Sequence, residues 1–466
     1  MMAGRTAALA AHARELRVFL ILWVGQTVSA FGGVMVGFAM GVWVFQRTGS
    51  ATAFSLILLF GLVPGIIATP FAGALVDRMD RRRVLILSTS AAAASSLFLA
   101  AVIQFDRMAL WHIYLSVSVG SVSGAFARPA FAAAVTLLVP RSQFARASGM
   151  VQTGQAAAQV AAPVLAGVLV VTLGLQGVIL INLGTFAVAL TTLAIVRFPP
   201  APVSEAGRSG GSLWRDAVAG WAFVAARRGL VGLLVFFAAS NLAIGFMQAL
   251  LTPMILGFST PEVLGLLLSA SGAGMLVGGV VMSVWGGPAQ RIHGVLGFGL
   301  AFGVGMALLG VRPSPVLVGA ALFASSFCVP FVNGCNTAIW QSKVPPDLQG
   351  RVFAMRVMVA WSSAPIAFIL AGPLADRAME PLLAPGGALA AALRPLVGEG
   401  DGRGAALLIV VMGVLLAANA AAGYLYGPLR RVEAELPDAV GETPSAPVPD
   451  SPPAPEPVRP RSPALR

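Results

Sequence analysis

Long stretches without any ionisable side chain recur along the whole of this 466-residue chain. A helix needs about 20 apolar residues to cross a bilayer, and charges inside the hydrocarbon are costly. Stretches of that length or more lie at 18–45, 51–76, 84–105, 108–127, 147–196, 229–258, 263–287, 292–311, 315–342, 357–375 and 404–427. Only 10% of the residues are charged, so no charge-rich soluble domain is left over. The sequence therefore predicts an all-α polytopic membrane protein embedded in a lipid bilayer.

One of these stretches, 147–196, is long enough for two spans. Thr172, Gly174, Gln176 and Gly177 favour a tight turn near its middle, which gives twelve transmembrane helices. The arginines test this split, because cytoplasmic loops carry an excess of Lys and Arg. With twelve spans and a cytoplasmic N-terminus, most of the 30 Lys and Arg residues fall on the cytoplasmic side. We therefore predict both termini in the cytoplasm and location in the inner (cytoplasmic) membrane. The net charge of +12 then reflects orientation and not nucleic-acid binding.

The longest hydrophilic segment between the apolar stretches divides the chain into two six-helix bundles. Within that segment Leu213, Trp214, Val218 and Trp221 recur at helical spacing, which predicts an interfacial amphipathic helix. The predicted organisation is a cytoplasmic N-terminus at 1–17, a first bundle at 18–196, a central cytoplasmic loop at 197–228, a second bundle at 229–429 and a disordered Pro-rich tail at 430–466.

The loop between the second and third spans combines a glycine with two acids and several arginines. Gly73, at the end of a span, allows close helix approach. Asp77 can accept hydrogen bonds from the N-terminus of a neighbouring helix. The arginines hold the loop in the cytoplasm. An ordinary positive-inside loop is the alternative interpretation of this segment.

Taken with twelve spans and the central loop, the segment resembles the signature of the major facilitator superfamily, G-x-x-x-D-R-x-G-R-[RK]. The matching residues are Gly73, Asp77, Arg78, Arg81 and Arg82. Asp80 stands where the signature has its second glycine, which adds an acid beside three arginines. The resemblance implies the major facilitator fold and a cytoplasmic gate formed by Asp77 and Arg81. Arg128, placed by the sequence at the end of helix four, is the expected partner of that gate.

Three later segments, 345–353, 371–381 and 398–404, are similar to the branch that contains macrolide-efflux proteins and the enterobactin exporter. This resemblance implies proton-coupled secondary transport by alternating access. Export of an amphipathic small molecule, such as a drug, macrolide or siderophore, is the predicted function, performed by a monomer. Import or facilitated passage of a small metabolite and a non-transporting membrane scaffold are the alternatives. No cluster of His, Cys and carboxylate groups stands at membrane depth, so we expect neither enzymatic activity nor a cofactor or metal.

Polar side chains inside the spans are the candidates for a substrate cavity, because each needs a partner away from water. Gln152, Gln155 and Gln159 share one face of helix five, although hydrogen bonding between packed helices would explain them equally well. Weaker candidates on other spans are Gln26, Asn241, Gln248, Asn333 and Asn336. From these residues we expect a large, apolar and uncharged cavity that binds anions poorly.

The spans drawn above contain no Asp or Glu, although proton-coupled transporters commonly carry a carboxylate at membrane depth. The remaining candidates for proton coupling are Asp77, Glu262 and Asp376, all near the ends of spans. If protons drive transport, one of these peripheral groups must carry the coupling.

Overall fold

The computed structural model is a bundle of long helices with outward-facing apolar side chains. It describes residues 2–76, 79–140, 143–196, 221–384, 387, 390–398 and 400–436. Within these ranges the regular elements are helices, and eleven of them are long and apolar enough to cross a membrane. Large side chains such as Val316 and Leu425 are more than four-fifths exposed, a surface that suits lipid contact. The prediction of an all-α polytopic membrane protein is confirmed.

The first half of the chain contains the turn that the sequence predicted inside the longest apolar stretch. Phe144–Ile195 is a continuous helical element except at Gly174, which has φ 67° and ψ −179°. A residue with a Cβ rarely adopts this backbone conformation, so glycine sets the break. The element is therefore two helices, α5 before Gly174 and α6 after it. The helices preceding them are α1 (Met2–Thr48), α2 (Ala51–Val76), α3 (Arg81–Gln104) and α4 (Leu110–Leu138).

The second half contributes six more spanning helices, which brings the described part of the chain to twelve. They are α7 (Arg228–Leu256), α8 (Pro261–Trp285), α9 (Arg291–Leu309), α10 (Pro315–Lys343), α11 (Pro346–Pro373) and α12 (Arg403–Leu425). A one-turn π-helix at Leu374–Met379 and two short helices at Glu380–Leu383 and Ala390–Val397 connect α11 to α12.

Two helices continue well past the ends that the sequence predicted. Helix α4 runs to Leu138, so Arg128 lies ten residues before its last residue and does not end the helix as predicted. Helix α11 begins at Pro346, so Arg356 lies ten residues inside it. At 1.5 Å per residue, each arginine is about 15 Å from the end of its helix.

The start of the predicted disordered tail is wrong by seven residues. Residues 430–436 are folded, with two short helices at Gly427–Arg430 and Val432–Glu435, and Val432 is fully buried. The rest of the predicted tail, 437–466, lies outside the described residues. So does most of the central loop, of which only the stretch from Trp221 onward is described.

Candidate functional site

The two halves pack directly against each other where α5 meets α8. A Cβ on Gly265 would clash with the carbonyl oxygen of Pro163, and a Cβ on Gly167 would lie 2.7 Å from the carbonyl oxygen of Pro261. The Ser269 hydroxyl also donates a hydrogen bond to the Val160 carbonyl oxygen. Only small residues allow two helix backbones to come this close.

A second contact between the halves joins the end of α11 to the start of α2. The Asp376 carboxylate accepts hydrogen bonds from the Ser50 and Thr52 hydroxyls, both at 2.7 Å. It also accepts the backbone N–H groups of Ala51 at 3.0 Å and Thr52 at 2.9 Å. A carboxylate at a helix N-terminus gains from both these bonds and the helix dipole. We name this group of four residues the Asp376 latch. The α5–α8 contact lies at the same end of the molecule, and we call that end the closed end.

The segments that suggested a branch of the superfamily form the structure around this latch. The Glu380 carboxylate accepts the backbone N–H groups of Gly402 at 3.2 Å and Gly404 at 2.6 Å, so it caps the start of α12. Arg403 is buried, donates to the Val397 carbonyl oxygen at 3.1 Å and lies 5.1 Å from the centre of the Phe258 ring. Segments 371–381 and 398–404 therefore build one assembly at the closed end.

The predicted cytoplasmic gate lies at the opposite end of the molecule. Arg82 donates to the carbonyl oxygens of Leu193 and Ala194, both at 2.7 Å, and so satisfies the end of α6. Asp80 accepts the Arg83 N–H at 3.1 Å and caps α3, which gives this departure from the family signature a structural role. One guanidinium nitrogen of Arg81 is buried without a hydrogen bond among the described residues.

The other residues assigned to that gate are not brought together in the described structure. Asp77 and Arg78 lie outside the described residues, and Gly73 falls in the last turn of α2. Arg128 faces a cavity between the halves, as shown next. A gate formed by Asp77, Arg81 and Arg128 therefore stays a prediction.

Three adjoining cavities lie between the two halves. The first, of about 650 Å³, has walls from both halves and contains Asn241, Gln248, Asn333 and Asn336. The second, of about 820 Å³, lies mainly against the first half and contains Gln26, Gln152, Gln155 and Gln159. A third, of about 470 Å³, shares Gly37 with the first and Val34, Gln159 and Met275 with the second. All eight polar residues proposed from the sequence thus line cavities between the halves.

Two arginines that lie just outside the predicted stretches 108–127 and 357–375 also line these cavities. Arg128 is exposed in the second cavity, and Arg356 is half-buried in the first. Among the described residues that line the three cavities, none is Asp or Glu. The expectation of an uncharged cavity is therefore wrong. The apolar residues on both sides of Arg128, as in Phe126 and Phe131, were the signal that the helix continued through it.

Two of the three candidates for proton coupling, Glu262 and Asp376, do not line the cavities. Glu262 is in the first turn of α8, beside Gly167 at the α5–α8 contact. Asp376 is held in the latch by its four hydrogen bonds. Both groups belong to the closed end, and Asp77 is outside the described residues.

Among the described residues, twelve spanning helices in two halves with cavities between them define a membrane transporter. Residues 22–369 match the model of the Major Facilitator Superfamily, and the chain belongs to this family. It is 28% identical to macrolide efflux protein A of Streptococcus pyogenes over 366 residues, which cover 77% of this chain and 89% of that protein. It is 26% identical to the multidrug efflux pump Tap of Mycolicibacterium fortuitum over 371 residues, or 78% of this chain and 90% of that protein.

Solved structures agree with this fold. A bacterial homolog of the human lysosomal transporter Spinster, in an inward-facing and unoccupied conformation, matches with a TM-score of 0.69 at 15% identity, covering 91% of this chain and 98% of that chain. A bacterial homologue of the iron transporter ferroportin, in an inward-facing state, matches with a TM-score of 0.61 at 14% identity, covering 87% of this chain and 98% of that chain. At such identities the likeness concerns the fold alone.

Proposed function

We propose that this protein is a secondary active transporter that exports amphipathic small molecules by alternating access. The observation that carries the proposal is the set of cavities between two halves that contact each other at one end. In transporters built from two such halves, substrate binds near the interface and access alternates as the halves rock. On the predicted topology the closed end faces outward, so this conformation would open to the cytoplasm.

The substrate would occupy the cavities lined by the eight polar residues. Their volumes of about 650 and 820 Å³ match pockets that take drug-sized ligands. The relatives named for macrolide and multidrug efflux favour export of a drug or macrolide, and a siderophore is the further candidate. The inner membrane, with both termini in the cytoplasm, is the location that this proposal requires.

Protons are the coupling ion that the family resemblance favours. Antiport requires a group that takes up a proton on one side of the membrane and releases it on the other. Asp376 and Glu262 both lie at the closed end, and Asp376 is bonded there while the cavities would be open to the cytoplasm. This geometry favours Asp376 as part of the closing mechanism, with Asp77 and Glu262 as the proton-coupling candidates.

Inverted membrane vesicles from cells that produce the full chain would test the proposal. An imposed proton gradient, acid inside, should drive erythromycin or ethidium into such vesicles above the level in vesicles from cells without the protein. Abolition by a protonophore would establish the coupling, and Ala variants of Asp77, Glu262 and Asp376 would locate it.

Two results would contradict the proposal. Equal accumulation with and without the protein, across a broad panel of drugs and siderophores, would oppose export. Accumulation only in right-side-out vesicles would favour import of a metabolite instead. Unchanged pH-driven transport in all three Ala variants would exclude these peripheral carboxylates as the coupling groups.

A further inference from the structure

The cavities between the halves contain positive charge that the described protein does not neutralise. Arg128 and Arg356 line two of the cavities, and no Asp or Glu is among the described lining residues. Charged side chains at membrane depth are costly, and they usually pair with one another or face a functional pathway. These two arginines face the pathway without an acidic partner among the described lining residues.

Aromatic rings contact Arg356, and no acid is among the described residues that line its cavity. Its guanidinium carbon lies 5.9 Å from the centre of the Trp340 ring and 5.5 Å from that of Phe353. Arg stacks readily on aromatic faces, which leaves its N–H groups free to bond in the ring plane. One of its terminal nitrogens is buried and has no hydrogen bond among the described residues. A donor in this condition is the group that a ligand acceptor would satisfy.

Arg128 has neutral polar neighbours in its cavity. It shares the cavity with Gln26, Gln152, Gln155 and Gln159, and the described residues give it no hydrogen-bond partner. The amide nitrogen of Gln26 is likewise buried without a hydrogen bond among the described residues. Glutamine side chains can hydrogen-bond an anion through their N–H groups, but they cannot neutralise a cation. Additional donors around a guanidinium that no described lining residue neutralises suit a ligand with several acceptor oxygens.

The two arginines lie on opposite halves, at the same number of residues from a helix end. Each is ten residues from the end of its helix that is remote from the closed end. A ligand entering between the halves would therefore meet a cation on either wall.

We propose that these cavities select amphipathic organic anions, with a carboxylate or similar group bound by Arg128 or Arg356 and the apolar body against the remaining walls. Guanidinium groups bind carboxylates through two parallel hydrogen bonds, whereas a cationic ligand would be repelled. This inference rests on the proposed function and specifies its substrate class. It differs from what the macrolide relatives alone would suggest, because macrolides carry an amine.

Binding of a matched pair of ligands to the purified full-length chain tests the inference. Labelled fusidate, an amphipathic carboxylate, and its neutral methyl ester differ only at the acid. In nanodiscs of phosphatidylcholine we expect fusidate to bind at least about tenfold more tightly than the ester, and erythromycin to bind more weakly than fusidate. At least one of Arg128→Gln and Arg356→Gln should reduce fusidate affinity by about tenfold and reduce ester affinity much less. Arg128→Lys and Arg356→Lys should recover part of the loss.

Arg312→Gln is the matched control, because this exposed loop arginine loses the same charge outside the cavities. Equal affinity for fusidate and its ester, absence of fusidate binding, or equal effects of the control and cavity variants would overturn the inference. So would losses in the Arg→Gln variants that appear only after phosphatidylglycerol is added, since these would assign the arginines to lipid headgroups.

Transport assays separate this inference from the proposed function. Export of erythromycin without fusidate binding would support the proposed export function and contradict the proposed preference for anions. Selective fusidate binding without transport of any probe would support the anion site and contradict the transport function.

Discussion

The closed end and the cavities use charged side chains in opposite ways. At the closed end, the carboxylates of Asp376 and Glu380 accept hydrogen bonds from N–H and O–H donors at helix N-termini. In the cavities, Arg128 and Arg356 have no acidic partner among the described lining residues. A charge that the protein satisfies stabilises one conformation, whereas one left unsatisfied is available to a ligand. Variants in each region should therefore change different measured quantities.

The largest effect is expected where the halves touch through backbone. Gly265→Ala places a methyl group against the Pro163 carbonyl oxygen, which α5 and α8 can relieve only by separating. Overpacking of this kind costs about 1–3 kcal/mol. We expect transport to fall about tenfold or more, measured as initial uptake rate in inverted vesicles. Gly279→Ala on the same helix is the control, because nothing lies within 4 Å of the added atom. Equal rates in the two variants would show that the closed end does not limit transport.

A smaller effect is expected from the Asp376 latch. Asp376→Asn keeps the shape of the side chain but replaces charge-assisted bonds with weaker ones, at a cost of about 1–2 kcal/mol. The population should shift away from the conformation described here, and labelling of a cysteine introduced at the closed end should become several-fold faster. Asp401→Asn is the control, since Asp401 is exposed near the same end. Unchanged cysteine labelling in Asp376→Asn would show that the Asp376 latch does not hold the closed end together, even if the transport rate fell.

The smallest effect is expected from a neutral cavity side chain. Gln155→Ala removes one amide from the cavity that contains Arg128. A hydrogen bond from that amide to a bound ligand would be worth about 0.5–1.5 kcal/mol. Ligand affinity should fall by roughly two- to tenfold, with no change in cysteine labelling at the closed end. Gln290→Ala, at an exposed position outside the cavities, should change neither quantity. A change in cysteine labelling in Gln155→Ala would contradict the conclusion that the cavities and the closed end affect different measured quantities.

The fold and the neutral cavity residues were predictable because both follow from local patterns. Apolar runs gave the helices, Gly174 gave the break inside the longest run, and polar side chains within apolar runs gave the lining. The buried amide of Asn336 even accepts a bond from the Trp340 indole N–H at 3.0 Å, which shows that packing and lining roles coexist.

The charged residues were harder to place, for two physical reasons. The predicted spans 108–127 and 357–375 each stopped beside an arginine, so Arg128 and Arg356 were left outside them, although a water-accessible cavity lets an arginine stand inside a helix. The Asp376 latch joins residues more than 300 positions apart, and a single sequence carries no signal for such a contact. The folded segment 430–436 was missed because it is short and lacks a strong apolar repeat.

That last segment ties together helices of the second half at the end opposite the latch. The Glu433 carboxylate accepts the Ile292 N–H at the start of α9 at 2.7 Å, and Lys343 at the end of α10 donates to the Glu433 carbonyl oxygen at 2.7 Å. On the neighbouring helix α7, a Cβ on Gly229 would lie 2.8 Å from Cγ2 of Val432. The segment acts as a brace across three helix ends. A half whose helix ends are joined rotates as one body when one end is displaced. Removal of residues 430–436 should therefore make the second half less rigid.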